Sequence, residues 1–264
     1  MTSLARPNST VGRVFEHRLL LYRRTFRSSI FSSFLSPVLF LTAMGIGLGG
    51  YVSNTASLGG VPYLDFLAPG LLAAMAMQTA SFEATFPIIR GFIWNKVFHA
   101  MAATPIAPRD IALGSLLWIA ARLTLTSAIF TLVIILFGAF ESPLVVFCIP
   151  AAVLTGMAFA GPIAAFSATQ KNPNRFATIF RFGITPLFLF SGTFFPVSSL
   201  PPALQVVAWL TPLFHGVALT RSLSLGTIGE DPGAAVVHLV YLTTMAGVGA
   251  WLATRTVERR LVDG

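Results

Sequence analysis

The sequence predicts an all-α, polytopic membrane protein with six transmembrane helices, an N-terminal interfacial helix and short re-entrant outer helices before the last span. Three observations predict it. Hydrophobic residues make up 55% of the 264, and charged residues only 10%, where a soluble domain carries roughly a quarter. Mean hydropathy is +0.79, so most side chains do not face water. All but two of the 17 lysines and arginines fall in four clusters, at the two chain ends and at every second junction between apolar runs.

Residues 1–29 form a basic segment expected in the cytoplasm. Val11, Val14, Phe15, Leu19, Tyr22 and Phe26 fall roughly on one helical face. Arg13, Arg18, Arg23 and Arg24 supply the charge of an interfacial helix, its apolar face in the acyl boundary and its cations on anionic membrane lipids. The simpler alternative is a positive flank that only fixes topology. No cleavable secretory signal is expected, because the first apolar run follows this basic stretch and is long enough to span.

A hydrocarbon core of about 30 Å needs roughly 20 apolar helical residues. Six stretches qualify within residues 30–254: about 30–50, 65–89, 111–137, 144–168, 176–195 and 234–254. Pro37, Pro69, Pro150, Pro162 and Pro186 lie inside them, as membrane helices tolerate when neighbours satisfy the freed carbonyls. Six crossings put every cationic cluster, including the tail 255–264, on one side. The positive-inside rule then places both termini in the cytoplasm. Pairs of small residues four apart (Gly45 and Gly49, Gly156 and Ala160, Ala246 and Ala250) permit close helix contact.

Two further segments matter. In the loop after the second span, Trp94, Val97, Phe98 and Met101 are spaced as one helical stripe over about 91–104. That stripe either rests on the protein's own span ends or docks in the groove of a soluble partner. Between residues 196 and 225, Pro201, Pro202 and Pro212 leave only 203–210 as uninterrupted helix, too short to cross. It reads as outer re-entrant helices over about 196–214. Counted as a full span, it would place the C-terminal arginines outside.

Glu83 and Arg122 lie within spans, where charge costs roughly 2.5–3.5 kcal/mol on insertion scales and therefore faces protein or water. They line a substrate path, or they are a structural pair or snorkelled residues. Asp65 sits at the outer edge of the second span.

Other chemistries lack residues. Positive charge dispersed between apolar runs argues against nucleic acid. Cys148 is the only cysteine, so the chain can form no internal disulfide. The four histidines are scattered without metal-ligand spacing, and no metal or cofactor is expected on this chain. Gly45, Gly47 and Gly50 spell GxGxxG, but at the end of a span and not between strand and helix. Asn8-Ser9-Thr10 spells a glycosylation acceptor on the cytoplasmic side, where it would not be modified. Of the two lysines, Lys96 precedes valine and Lys171 precedes asparagine, so neither belongs to a phosphate-binding P-loop. ATP-driven work would need another polypeptide.

The stretches YLDFLAPGLLAAMAMQTASFEATF (63–86), MAATPIAPRDIALG (101–114) and LFLFSGTFFPVSSLPPALQVVAWLTPLFHGVALTR (187–221) resemble the membrane subunits of ABC type-2 exporters. Within that family the chain is most similar to permeases of nodulation-type lipo-oligosaccharide and drug-resistance exporters. The resemblance implies a coupling helix whose Trp94, Lys96, Val97, Phe98 and Met101 meet a separate ABC ATPase, which carries the ATP and Mg. It also implies a second permease subunit, as homodimer or heterodimer. Phe195, Pro196, Pro201, Pro202 and Trp209 would form an outer gate, and the location would be the bacterial inner membrane. The implied cargo is an amphipathic or hydrophobic molecule such as a glycolipid, lipo-oligosaccharide, polyketide or drug. The competing expectations are an intramembrane enzyme, for which Glu83 and distant histidines supply no converging catalytic groups, an ion-coupled carrier and a non-transporting scaffold.

Overall fold

A computed structural model describes residues 9–49 and 60–262. Arg6, Asn8 of the glycosylation triplet, Gly50 at the close of the first expected span and the last two residues of the tail lie outside the described residues.

Among the described residues every regular element is helical. Helix α1 (Thr10–Arg23) starts where Ser9 Oγ accepts from the Gly12 N–H at 3.1 Å, a serine N-cap. Helix α2 (Phe26–Phe40) continues as a wider π-turn over Leu41–Leu48. Then come α3 (Tyr63–Phe92), a short α4 (Val97–Ala102) and α5 (Pro108–Leu136). Proline at the first position of α5 sits where a missing N–H costs nothing. A 3-10 turn over Pro143–Phe147 leads into α6 (Cys148–Thr169). Next are α7 (Asn174–Ile179), a π-turn over Phe180–Ile184 and α8 (Thr185–Phe190). Helices α9 (Pro202–Trp209), α10 (Pro212–Leu225) and α11 (Pro232–Val262) complete the chain.

Length and apolarity single out four stretches that could cross a membrane: Phe26–Gly45, Pro108–Leu136, Pro143–Thr169 and Pro232–Val262. Helices α9 and α10 would add a fifth if counted together, although they meet at 83°. Two of the six expected spans therefore do not stand out by these measures. Helix α3 is long enough, but Asp65, Gln78, Glu83 and Arg90 dilute its apolarity. The stretch 176–195 is divided between α7, the π-turn and α8.

Helix α6 lies at the centre, packed against α3, α5, α10 and α11. Its core face is largely alanine, as is that of α3, so backbones approach closely and van der Waals contact replaces the hydrophobic effect that lipid does not supply. Gly156 fits between Leu123 and the Ala76 carbonyl. Helices α6 and α11 meet backbone to backbone at Gly161 and Gly249, each next to one of the expected small residues, Ala160 and Ala250. Helix α10 runs well past the expected limit at 214 and buries Leu213, Val217 and Leu223 in the core. Gly216 makes room there for Thr155.

The two described chain ends share one end of the bundle. Thr10 hydrogen-bonds Asp110 at the start of α5. Arg260, near the end of α11, donates to the Ala168 and Gln170 carbonyls at the end of α6, at 2.6 and 2.9 Å. Its guanidinium also lies 4.3 Å from the centre of the Phe92 ring at the end of α3.

Candidate functional site

Three places carry the expected functional residues. The first is the corner joining α3 to α5. Helix α3 stops at Phe92, and Lys96 turns the chain with φ 48° and ψ 23°, a left-handed conformation. Helix α4 then starts afresh. This corrects the expected continuous stripe, because Trp94 lies in the turn while Val97, Phe98 and Met101 belong to a separate short helix. Phe98 is 2% exposed, stands edge-on to Phe92 at 5.0 Å and fills the space that a side chain on Gly91 would occupy. Val97 and Met101 are half-buried, whereas Lys96 is exposed and Trp94 is 53% exposed. The corner thus has an inner face that braces it and an outer face of Trp94, Lys96, His99 and Ala100.

The second place is the bundle interior. Arg122 Nε lies 3.7 Å from Glu83 Oε1, so the two spans' charges pair. The helices explain how a difference in depth is bridged. Low-numbered residues of α3 line one cavity with high-numbered residues of α5, and the converse holds near Ile88 and Ile111, so the helices are antiparallel. Helical Cβ atoms tilt toward their own N-terminus, which tilts Glu83 and Arg122 toward each other. Arg122 also donates to the Tyr22 hydroxyl and lies 4.5 Å from that ring's centre. Beside the pair, between α2, α3 and α5, a cavity of about 240 Å³ is lined by Arg122 and by hydroxyls of Ser33, Ser36, Thr79 and Ser127.

Tyr22 belongs to α1, whose expected lipid-facing surface is largely occupied by protein. Val14 packs on Gly114, and the Phe15 and Tyr22 rings lie 6.0 and 5.4 Å from Trp118. Arg13 and Arg23 of this helix and Arg24 just after it are exposed. Arg18 turns inward to the Ser115 hydroxyl at 3.3 Å, and burial chiefly pushes its guanidinium down to about 10.

The third place is the opposite end. The α9–α10 bend leaves Pro201, Pro202 and Trp209 exposed and Phe195 and Pro196 half-buried. Residues absent from the sequence-derived set hold it. His215 and His238 approach with their Nδ1 atoms 2.7 Å apart, and His215 Nε2 lies 3.0 Å from the Trp209 carbonyl. The Tyr241 hydroxyl donates to the Leu210 carbonyl at 2.7 Å. Arg221 donates to the Phe66 and Gly192 carbonyls at 3.2 and 2.9 Å and lies against the Phe66 ring. A lone cation on the far side of the charge pattern was the one sequence signal for Arg221. The histidine pair joins residues 23 apart without any local pattern.

A helical bundle with several long apolar helices, a paired charge between two of its helices, a braced corner at one end and a bent helix pair at the other is the architecture of a polytopic membrane protein. The chain belongs to the ABC-2 type transporter family, whose profile matches residues 12–225. It is 30% identical to Nodulation protein J of Sinorhizobium fredii over 95% of this chain and 93% of that one. Nodulation protein J of Rhizobium leguminosarum bv. viciae is likewise 30% identical, over 94% of each chain. The inner membrane transport permease YadH of Escherichia coli is 24% identical over 77% of this chain and 81% of its own.

Proposed function

We propose that this chain is the membrane-spanning subunit of an ATP-driven exporter, working as a homodimer or heterodimer in the bacterial inner membrane. In this reading α2, α3, α5, α6, the α7–α8 segment and α11 cross the bilayer. Both termini then face the cytoplasm, and residues 1–29, 30–254 and 255–264 keep the roles expected from sequence. A separate ABC ATPase, carrying ATP and Mg, docks on the outer face of the corner around Trp94 and Lys96. Helices α9 and α10 close the exit side, with Phe195, Pro196 and Trp209 at the gate.

The observation that carries the reading is the exposed Trp94 on a corner held rigid from beneath by Phe98. A large aromatic fixed on a stiff mount is the kind of anchor that fills a partner's pocket. Family membership and the position of both described chain ends at the corner's end of the bundle support it. ATP binding would bias one arrangement of the permease only by as much as the ATPase's affinity differs between arrangements. The Glu83–Arg122 pair and the hydroxyl-lined cavity beside it suit the polar part of an amphipathic or hydrophobic cargo.

The test is co-expression with candidate ABC ATPases, purification of the complex and measurement of ATP-dependent movement of a fluorescent amphiphile in proteoliposomes. Wild type should copurify with one ATPase, and Trp94→Ala should weaken that complex at least tenfold. Movement driven by an ion gradient with no ATPase would replace this reading with a secondary carrier.

A further inference from the structure

A second and larger cavity, of about 590 Å³, lies between α1 and the α3–α4 corner. Its polar wall is cationic. Arg18 and Arg24 face it from the α1 side and Arg90 from α3, with His17 beside them. The one carboxylate on the wall, that of Glu83, is engaged by Arg122. Among the described residues no carboxylate lies within 4.0 Å of Arg18, Arg24 or Arg90.

Arg18 is the most telling of the three. Its neighbours are the Ser115 hydroxyl at 3.3 Å and the Phe98 ring at 5.8 Å. Burial lowers its affinity for the proton; Glu83 partly opposes this and Arg90 adds to it. It still carries its charge at neutral pH, and Glu83, the one carboxylate that acts on it, is already engaged by Arg122, while Arg24 and Arg90 on the same wall are solvent-exposed. Removing charge from water without a counter-charge is costly, and an anion in the cavity would offset that cost.

The chemistry of the wall narrows the anion. Guanidinium groups present forked donors that match phosphate oxygens. Tyr22 and Asn95 add uncharged donors. The rest of the lining is apolar, with Leu21, Pro87, Val97, Met101 and Trp118. Arg90 and Glu83 are seven residues apart on α3, about 10 Å along the axis, a depth comparable to that at which interfacial groups sit in a bilayer.

We propose that this cavity is a binding site for the phosphate ester of an anionic amphiphile, gripped between Arg18 and Arg24 on one side and Arg90 on the other. Phosphate could come from a membrane lipid or from a soluble compound; the apolar wall favours the lipid. An occupant would tie α1 to the corner carrying Trp94. The site does not depend on whether an ATPase docks there, and its test needs none.

The experiment uses the full chain, purified and exchanged into detergent with phosphatidylglycerol or phosphatidylcholine, with retained lipid counted by native mass spectrometry. Wild type should keep one phosphatidylglycerol at a concentration at least tenfold lower than phosphatidylcholine requires. Arg18→Gln with Arg90→Gln should lose that preference. Arg175→Gln with Arg259→Gln, which removes the same charge from exposed positions elsewhere, should keep it. If the first pair folds poorly, Arg24→Gln at an exposed position carries the same expectation with a smaller, three- to tenfold loss. Displacement by millimolar inorganic phosphate would support the site and identify soluble phosphate as its source; resistance to displacement would identify the lipid. Equal retention of the two lipids, or equal loss in the two double variants, would overturn the proposal.

Discussion

Gly161 of α6 and Gly249 of α11 meet backbone against backbone. A Cβ on Gly161 would fall 2.3 Å from the Gly249 carbonyl carbon, and one on Gly249 would fall 2.3 Å from Pro162 Cδ. Neither obstacle is a flexible side-chain tip, so the helices must separate to admit even a methyl group. Overpacking of this kind costs about 1–3 kcal/mol. Gly249→Ala should therefore lower the thermal midpoint clearly in size-exclusion melting assays. Gly247 has nothing within 4 Å, so Gly247→Ala should be neutral, or stabilise by up to about 1 kcal/mol through helix propensity. Equal behaviour of the two variants would contradict the crossing.

The Glu83–Arg122 pair should show coupling. Its side chains are 18% and 14% exposed, so removing either partner leaves the other poorly solvated. Glu83→Gln and Arg122→Gln should each destabilise, while the double variant should lose less than the sum. The expected interaction is about 1–3 kcal/mol, read from a double-mutant cycle of thermal or denaturant unfolding in detergent. Strict additivity would mean that the charges act separately.

At the corner, Trp94 and Phe98 should separate in effect. Phe98→Ala empties a packed site and should destabilise by about 3–5 kcal/mol. Trp94→Ala removes an exposed ring and should change the melting temperature by no more than a degree or two, while weakening ATPase association. Stability measured beside pull-down affinity distinguishes them. If Phe98→Ala melts like wild type, the bracing role assigned to it is wrong.

Lys96 holds a left-handed backbone that suits glycine better than any residue with a Cβ. A β-branched residue is worst placed there. Lys96→Val should destabilise by about 1–2 kcal/mol, and Lys96→Gly should equal or exceed wild type in unfolding experiments. The reverse order would mean that the turn is not built as described.

The bilayer made the architecture legible. Long apolar runs have few solutions other than helices, and α5, α6 and α11 fall close to where apolarity placed them. Boundaries set by tertiary contact were harder to read. No glycine or proline lies in the FIWNK segment to signal that α3 stops at Phe92, so a stripe of apolar residues passed for one continuous helix. Arg18 counts with the surface cations by its charge, although its three- and four-residue spacing from Val14, Phe15 and Tyr22 puts it on their face; its inward partner, Ser115, is 97 residues away. The pairing of Glu83 with Arg122 was open for a similar reason: the tilt of their Cβ atoms matters only once the helices are known to be antiparallel and adjacent. The His215–His238 contact depends on how α10 packs against α11, which spacing along the chain does not encode.

The attachment of α1 to α5 has a consequence for the order of events during synthesis. Two of its fastenings, Thr10 to Asp110 and Tyr22 to Arg122, connect residues 100 positions apart, and a third, Arg18 to Ser115, residues 97 apart. Helix α1 leaves the ribosome about a hundred residues before these partners and therefore has no seat until the chain has been made through α5. In the interval it must wait at the membrane face with its aromatic side chains uncovered. Made before its partners, α1 is among the parts that settle late.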